Sequence, residues 1–171
     1  MKVRVSDIKE DGVHIETFEN PEWLVNAPEL FAGDKNTKLT SRFDIDLQLN
    51  KVLKEVTVSG NVQFSIEAPC SRCLKTIKLD LKPEVNLVLT PRESIEDVDK
   101  GINHETYVGD EVDISDYIRE QITMSLPFKV ICEENCKGLC SNCGVNLNTE
   151  QCGCESERVD PRLSVLKNLK I

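Results

Sequence analysis

Residues 132–154 read CEENCKGLCSNCGVNLNTEQCGC and place six of the chain's eight cysteines within 23 positions. The other two, Cys70 and Cys73, stand far upstream as CSRC. The thiols fall into four close pairs, Cys70/Cys73, Cys132/Cys136, Cys140/Cys143 and Cys152/Cys154. Each pair can supply half a tetrahedron, so the four are what two tetrahedral metal sites require. Three couplings into two sites are open. Joining Cys140/Cys143 to Cys152/Cys154 closes a loop of eight residues at small entropic cost and leaves Cys70/Cys73 with Cys132/Cys136. Joining Cys132/Cys136 to Cys140/Cys143 would crowd four ligands into twelve residues, a spacing nearer to iron–sulfur binding. The first arrangement is preferred.

The sequence around these thiols needs such a site. Between Phe128 and Glu157 the apolar residues are Phe128, Val130, Ile131, Leu139, Val145 and Leu147. That is too little to offset the chain entropy of thirty residues, whereas a structural zinc supplies an apparent ~10 to 16 kcal/mol. Gly144, directly after Cys143, suits a knuckle in which positive φ turns backbone amides toward the thiolates. One or two zinc ions are therefore expected. A catalytic zinc would keep an open position and favour His or carboxylate ligands, but His14 and His104 neighbour no cysteine. The chain shows no Gly-rich phosphate loop and no nucleophile elbow. A non-enzymatic protein without a small-molecule substrate is expected.

Outward from the cysteines the chain reads as an α+β domain. Phe43, Ile45, Leu47 and Leu49 alternate strictly, and after Asn50-Lys51 the pattern resumes at Val56, Val58, Val62, Phe64 and Ile66. This predicts a long antiparallel hairpin, with Gly60 as a bulge. A third run, Ile77, Leu79, Leu81, Val85, Leu87 and Leu89, follows the CSRC turn, so the first cysteine pair sits at the tip joining two long strands. Pro83 marks a break or an edge. Val3, Val5, Val13 and Ile15 predict a pair of short strands around Asp11-Gly12. Residues 19–37 read as a loop with one helical turn, in which Trp23 is a core anchor. Residues 91–112 read as a solvated acidic loop. Asp113 caps a helix over 113–126 carrying Ile114, Tyr117, Ile118, Ile122 and Leu126 on one stripe, stopped by Pro127. Asp160-Pro161 opens a short final helix. The expected organisation is a β-rich core over 1–127, a Cys-rich zinc segment over 128–157 and a basic helix over 158–171.

Charge narrows the partners. The net charge of -9 is unevenly spread. Residues 83–120 carry eleven acids against Arg92, Lys100 and Arg119, a local charge of -8, while 42–82 sum to +2 and the chain from Arg158 onward to +3. A globally acidic protein is a poor non-specific ligand of nucleic acid, so any RNA contact must be local. Candidates are Arg72, Lys75 and Lys78 beside the first pair, and Arg158, Arg162, Lys167 and Lys170 in the tail; lysines on a strand can equally serve only to solvate it. No run reaches the roughly 18 apolar residues of a membrane helix, and MKVRVSDIKE lacks the apolar core of a secretory signal. The reducing cytoplasm is the expected compartment, where paired cysteines favour metal over disulfide.

The order of motifs is itself informative. Alternating strands, CSRCL at a hairpin tip, an acidic stretch, DISDYIREQITMSLP, then CEENCKGLCSNCGVNLN with a Cys-Gly-Cys and a terminal DPRLSVLKNL resemble the YceD family, named for large ribosomal RNA subunit accumulation. The resemblance implies a non-enzymatic role in accumulation or maturation of large-subunit (23S) ribosomal RNA, in a bacterial cytoplasm or a plastid. It lends support to Cys70, Cys73, Cys132, Cys136, Cys140 and Cys143. The implied partner is the RNA or a pre-ribosomal particle. A zinc-dependent module that holds a basic ribosomal protein through the acidic loop is the alternative.

Overall fold

The computed structural model describes residues 1–24, 37–92 and 104–154. Its spine is β5 (Glu55–Pro69), in which the even-numbered side chains Val56, Val58, Val62, Phe64, Ile66 and Ala68 are all buried. β4 (Phe43–Val52) precedes it across a two-residue turn in which Leu53 has φ 58°, the positive angle that tight hairpins demand. Register runs unbroken from Val52↔Glu55 to Asp44↔Gln63, so Gly60 is not the expected bulge. Glycine is needed there for a different reason: a Cβ would lie 2.0 Å from the Asp46 carbonyl oxygen. The irregularity falls upstream instead. β3 (Lys38–Leu39) also pairs with β5, but Leu39 faces Ile66 where Asp44 faces Gln63, so two residues are extruded between β3 and β4. Hydrogen bonds from Thr40 N–H to Ser65 O (2.9 Å) and from Ser65 N–H to Ser41 Oγ (2.8 Å) seal the gap.

On the other side of β5 lie β6 (Thr76–Leu81) and β7 (Glu84–Pro91). Their pairings Leu81↔Phe64 and Glu84↔Asn61 keep one register, so they form a single long strand interrupted at Lys82-Pro83. Pro83, lacking an N–H, still accepts from Val62 N–H at 3.0 Å. β5 and β6–β7 thus build a long hairpin, and its closed end is Cys70–Lys75. The main sheet runs β2 (Val13–Glu19), β4, β5, β7, β8 (His104–Tyr107). β8 is parallel to β7, so the sheet is mixed and not wholly antiparallel.

Two further expectations are corrected. The strand pair near the start does not form: β1 (Lys2–Arg4) pairs with β9 (Glu111–Asp113), while β2 pairs with β4. A 3-10 turn at Val5–Asp7, held by Val5 N–H to Asp110 O at 2.8 Å, turns the chain away. The stretch 91–112, read as a solvated loop, contains β8 and β9, which bury Tyr107 and Val112. HETY and EVD are too short and too acidic to show alternation; neighbouring strands impose their conformation.

The helix α1 spans Ser115–Ser125, and the Asp113 carboxylate accepts Ser115 N–H at 2.9 Å. Ile114, Ile118 and Ile122 are buried in one hydrophobic cluster with Val85, Leu87 and Leu89 of β7, each worth roughly 1.5–3 kcal/mol. Trp23, in a 3-10 turn over Pro21–Leu24, stacks at a tilt on Phe43 (6.4 Å), and the Arg119 guanidinium covers its other side at 4.7 Å. Among the described residues no helix is long and apolar enough to cross a membrane. The expected terminal helix with Arg158, Arg162, Lys167 and Lys170, and residues 93–103 of the acidic stretch, lie outside the described residues.

Candidate metal centres

The eight thiols gather into two quartets. One holds Cys70, Cys73, Cys132 and Cys136, the other Cys140, Cys143, Cys152 and Cys154, and within each the sulfurs lie within 4.8 Å of one another. This is the coupling preferred on loop length. No pair is a disulfide. In the first quartet Cys70 Sγ and Cys136 Sγ are 3.9 Å apart, and Cys73 Sγ and Cys132 Sγ 3.6 Å. A tetrahedral ion with metal–sulfur bonds of about 2.3 Å requires sulfurs about 3.8 Å apart, which these two separations match. The quartets could each hold a metal.

Each quartet is built on a knuckle of one design. Cys70 N–H bonds Lys75 O and Cys140 N–H bonds Val145 O, both at 2.8 Å. Leu74 N–H returns to Cys70 O at 3.0 Å, and Gly144 N–H to Cys140 O at 2.9 Å. The amide two residues on points at the sulfur, Arg72 N–H at Cys70 Sγ (3.4 Å) and Asn142 N–H at Cys140 Sγ (3.5 Å). The turn needs positive φ at its fifth residue, which is 74° at Gly144 and 59° at Leu74. The glycine announces the second knuckle in the sequence; the leucine hides the first.

The second half of the first quartet arrives on the segment after α1. Ser71 N–H donates to Val130 O at 2.7 Å and Leu139 N–H to Arg72 O at 3.0 Å, clasping the hairpin tip from both sides. Gly138, at φ 77°, admits the close approach, since a Cβ there would sit 3.0 Å from Arg72 O. The Arg72 guanidinium donates to Glu134 O (3.1 Å) and Cys136 O (2.8 Å). Arg72 therefore braces the Cys132–Cys136 loop, a role that its place in a basic cluster did not reveal. Ile77, Ile131 and Leu139 form an apolar collar around Cys70, Cys73 and Cys136. Lys75 and Lys78 are exposed, and Lys78 pairs with Asp80 at 3.7 Å.

The two quartets touch through one side chain that sequence reasoning passed over. Asn148 accepts Lys137 N–H at 2.7 Å and donates its amide to Cys136 Sγ at 3.4 Å. Leu147 N–H bonds Gly138 O at 2.9 Å. The alternation Asn146, Asn148 in CGVNLN was the available signal, because two amides flanking an apolar residue beside thiols can serve sulfur.

The thiols do not titrate alike. Burial opposes ionisation of Cys70, but N–H donors from Cys73, Arg72 and Cys132 outweigh it and bring its pKa to about 6. Burial likewise opposes Cys136, and the Asn148 amide and Gly138 N–H prevail and lower it. Cys132 is pushed up to about 12 by hydrogen bonding to Cys136 and by burial. In the second quartet N–H groups of Cys143 and Asn142 bring Cys140 to about 6, while Cys143 and burial raise Cys154 to about 12. Two neighbouring thiolates suppress the ionisation of the others, and a divalent cation removes that penalty. His14, on the sheet's exposed side, bonds Asp46 Oδ1 at 2.7 Å and lies apart from both quartets.

A family model described as "Large ribosomal RNA subunit accumulation protein YceD" matches residues 58–170, well over half of the chain. The chain belongs to the YceD family. Among its relatives, an uncharacterised Mycobacterium tuberculosis protein is 31% identical over 139 residues, covering 81% of this chain and 65% of the relative. The chloroplastic "Large ribosomal RNA subunit accumulation protein YCED homolog 1" of Arabidopsis thaliana is 40% identical over 60 residues, 35% of this chain and 19% of its own length. A Bacillus subtilis protein, YlbN, is 27% identical over 127 residues, 72% and 69% of the respective chains. The chain thus spans 65% of the length of its Mycobacterium tuberculosis and Mycobacterium bovis relatives. No solved structure matches it. The YceD match begins inside β5, so it takes in the whole hairpin tip and both thiol quartets.

Proposed function

We propose that this protein is a non-enzymatic, zinc-containing factor in the accumulation or maturation of large-subunit ribosomal RNA, acting in the cytoplasm on the RNA or on a pre-ribosomal particle. The observation that carries the reading is the YceD match over a region holding two thiol quartets, each with its sulfurs within 4.8 Å of one another. Four-sulfur sets with amide N–H groups aimed at the sulfurs suit Zn2+ as structural ion. In this reading residues 128–157 are a zinc-built appendage on the β-rich core, and the ions make rigid knuckles that hold cationic side chains for phosphate contact. Lys75 and Lys78 lead the RNA candidates on the described surface, with Arg158, Arg162, Lys167 and Lys170 in the tail. Arg72 is better assigned to bracing, since its guanidinium is engaged by backbone carbonyls.

The test is sucrose-gradient co-sedimentation of the tagged protein from lysate at low and raised salt, repeated with Lys75 and Lys78 changed to Glu. Migration with large-subunit precursors, released by salt and weakened in the variant, is expected. Migration at the top of the gradient under all conditions would sink direct association. A second reading, a module that binds a basic ribosomal protein through acidic residues, draws support from carboxylates gathered around a cleft beside β8.

A further inference from the structure

Between β7, β8, β9 and the start of α1 lies a cleft of about 390 Å3. Its apolar lining includes Leu87 and Leu89 of β7 and the rings of Tyr107 and Tyr117. Both rings are fixed by their hydroxyls, Tyr107 donating to Lys54 O and Tyr117 to Asn86 O, each at 2.6 Å. Five carboxylates reach the same space. Three already face a cation: Glu111 bonds Lys2 at 2.7 Å, Asp113 meets the Met1 amine at 3.2 Å, and Asp116 pairs with Arg119. Glu105 of β8 and Glu120 of α1 have no cationic partner among the described residues. Both stand close enough to the Tyr117 hydroxyl to disfavour its ionisation, after burial the chief cause. Two carboxylates without a cationic partner among the described residues therefore flank one aromatic ring in a cleft whose exposed apolar side chain is Val108, at 69%. That combination is complementary to an aliphatic stem ending in a cation.

We infer that this cleft is a docking site for a basic, leucine-containing segment of a partner protein, with a lysine or arginine seated between Glu105 and Glu120 over Tyr117 and an aliphatic neighbour against the exposed Val108. The inference rests on the second reading above and gives it an address. An RNA strand is disfavoured here because its phosphates would meet five carboxylates.

The probe is a twelve-residue peptide of alternating Lys-Leu-Arg units, titrated by calorimetry into the full-length, metal-loaded protein. Comparison is with Glu105→Gln/Glu120→Gln and with a control, Glu133→Gln/Glu134→Gln, outside the cleft. A tenfold or greater loss in the cleft variant, with the control unchanged, is expected. So is weaker binding of a dodecalysine peptide, which brings more charge but no aliphatic side chain to set against Val108. Equal binding by the cleft variant, or tighter binding of dodecalysine, overturns the cleft. A parallel capture of purified basic proteins from large ribosomal subunits separates the two levels. Capture that persists in the cleft variant leaves the second reading standing without this site, whereas no capture by the unmodified protein removes both.

Discussion

The Asn148 side-chain amide donates to Cys136 Sγ at 3.4 Å and is itself steadied by Asn146 Oδ1 at 2.8 Å. A residue placed between the knuckle cysteines of one quartet and their Cys-Gly-Cys partners thus supports a thiolate of the other. Hydrogen-bond donors to a ligating atom commonly change metal affinity by about 10- to 100-fold. Asn148→Ala should therefore raise the dissociation constant at the first quartet by at least about tenfold, read by competition with a chromophoric chelator. An unchanged constant would mean that the hydrogen bond only follows the fold.

Removing the ions should act unevenly. With excess chelator, amides in 130–154 should lose protection in hydrogen exchange while the β4–β5–β7 ladder keeps it, because that ladder has its own buried aliphatic core. Analysis of protein purified without chelator should find zinc at up to two per chain. Full protection of 130–154 in stripped protein would show that packing, not metal, holds the segment.

Arg72 and Lys75 are near neighbours with opposite expectations. Arg72→Ala leaves the Glu134 and Cys136 carbonyls short of a charged donor and should cost about 1–3 kcal/mol by denaturant unfolding. Lys75→Ala, on an exposed side chain, should stay within about 0.5 kcal/mol. Equal effects would remove the bracing role.

The two knuckles differ at their strained position, and exchange should show it. Leu74 is 64% exposed and holds φ 59°, so Leu74→Gly gives up little packing and relieves strain. It should be neutral or stabilising by up to about 1 kcal/mol. Gly144→Leu should destabilise by a similar amount or more, as seen in thermal unfolding of the metal-loaded protein. Destabilisation by Leu74→Gly would point to a contact made by the leucine.

Asp113 links the helix to the strand pair β1–β9 and should give a distinct acid response. Hydrogen bonds from Ser115, with the amino terminus adding to them, overcome burial and hold its pKa at about 2, against an ordinary 3.8. A lowered carboxylate pKa contributes stability above 3.8 that is lost as pH falls through 2. Asp113→Asn should therefore lower the melting temperature at pH 7, with the difference shrinking as pH falls toward 2 and vanishing below it. Solvent screening keeps the effect under about 1 kcal/mol. A difference that is independent of pH would assign the loss to geometry instead of charge.

Much of this was legible in the chain because each legible feature is local. Strict alternation from Phe43 to Ile66 sets two strands and their buried faces. Loop length alone favours the pairing of thiols that the structure displays. What escaped depends on distant neighbours. HETY carries no strand signal of its own and becomes β8 because β7 offers a free edge. Arg72 resembles any basic surface residue until the Cys132–Cys136 loop folds over it. Leu74 occupies a conformation that glycine usually marks, so its turn is invisible to composition.

The first quartet joins thiols 59 and 66 positions apart, whereas all four thiols of the second come from residues 140–154. Closing the longer loop costs roughly 2 kcal/mol more in chain entropy. On a ribosome the Cys70 knuckle is made early, and Cys132 and Cys136 follow only after β8, β9 and α1 have been synthesised. An ion held by all four thiols would therefore require a chain already synthesised through every strand and α1. Its capture would act as a clasp, tying the hairpin tip to the segment after α1 once every strand has been made.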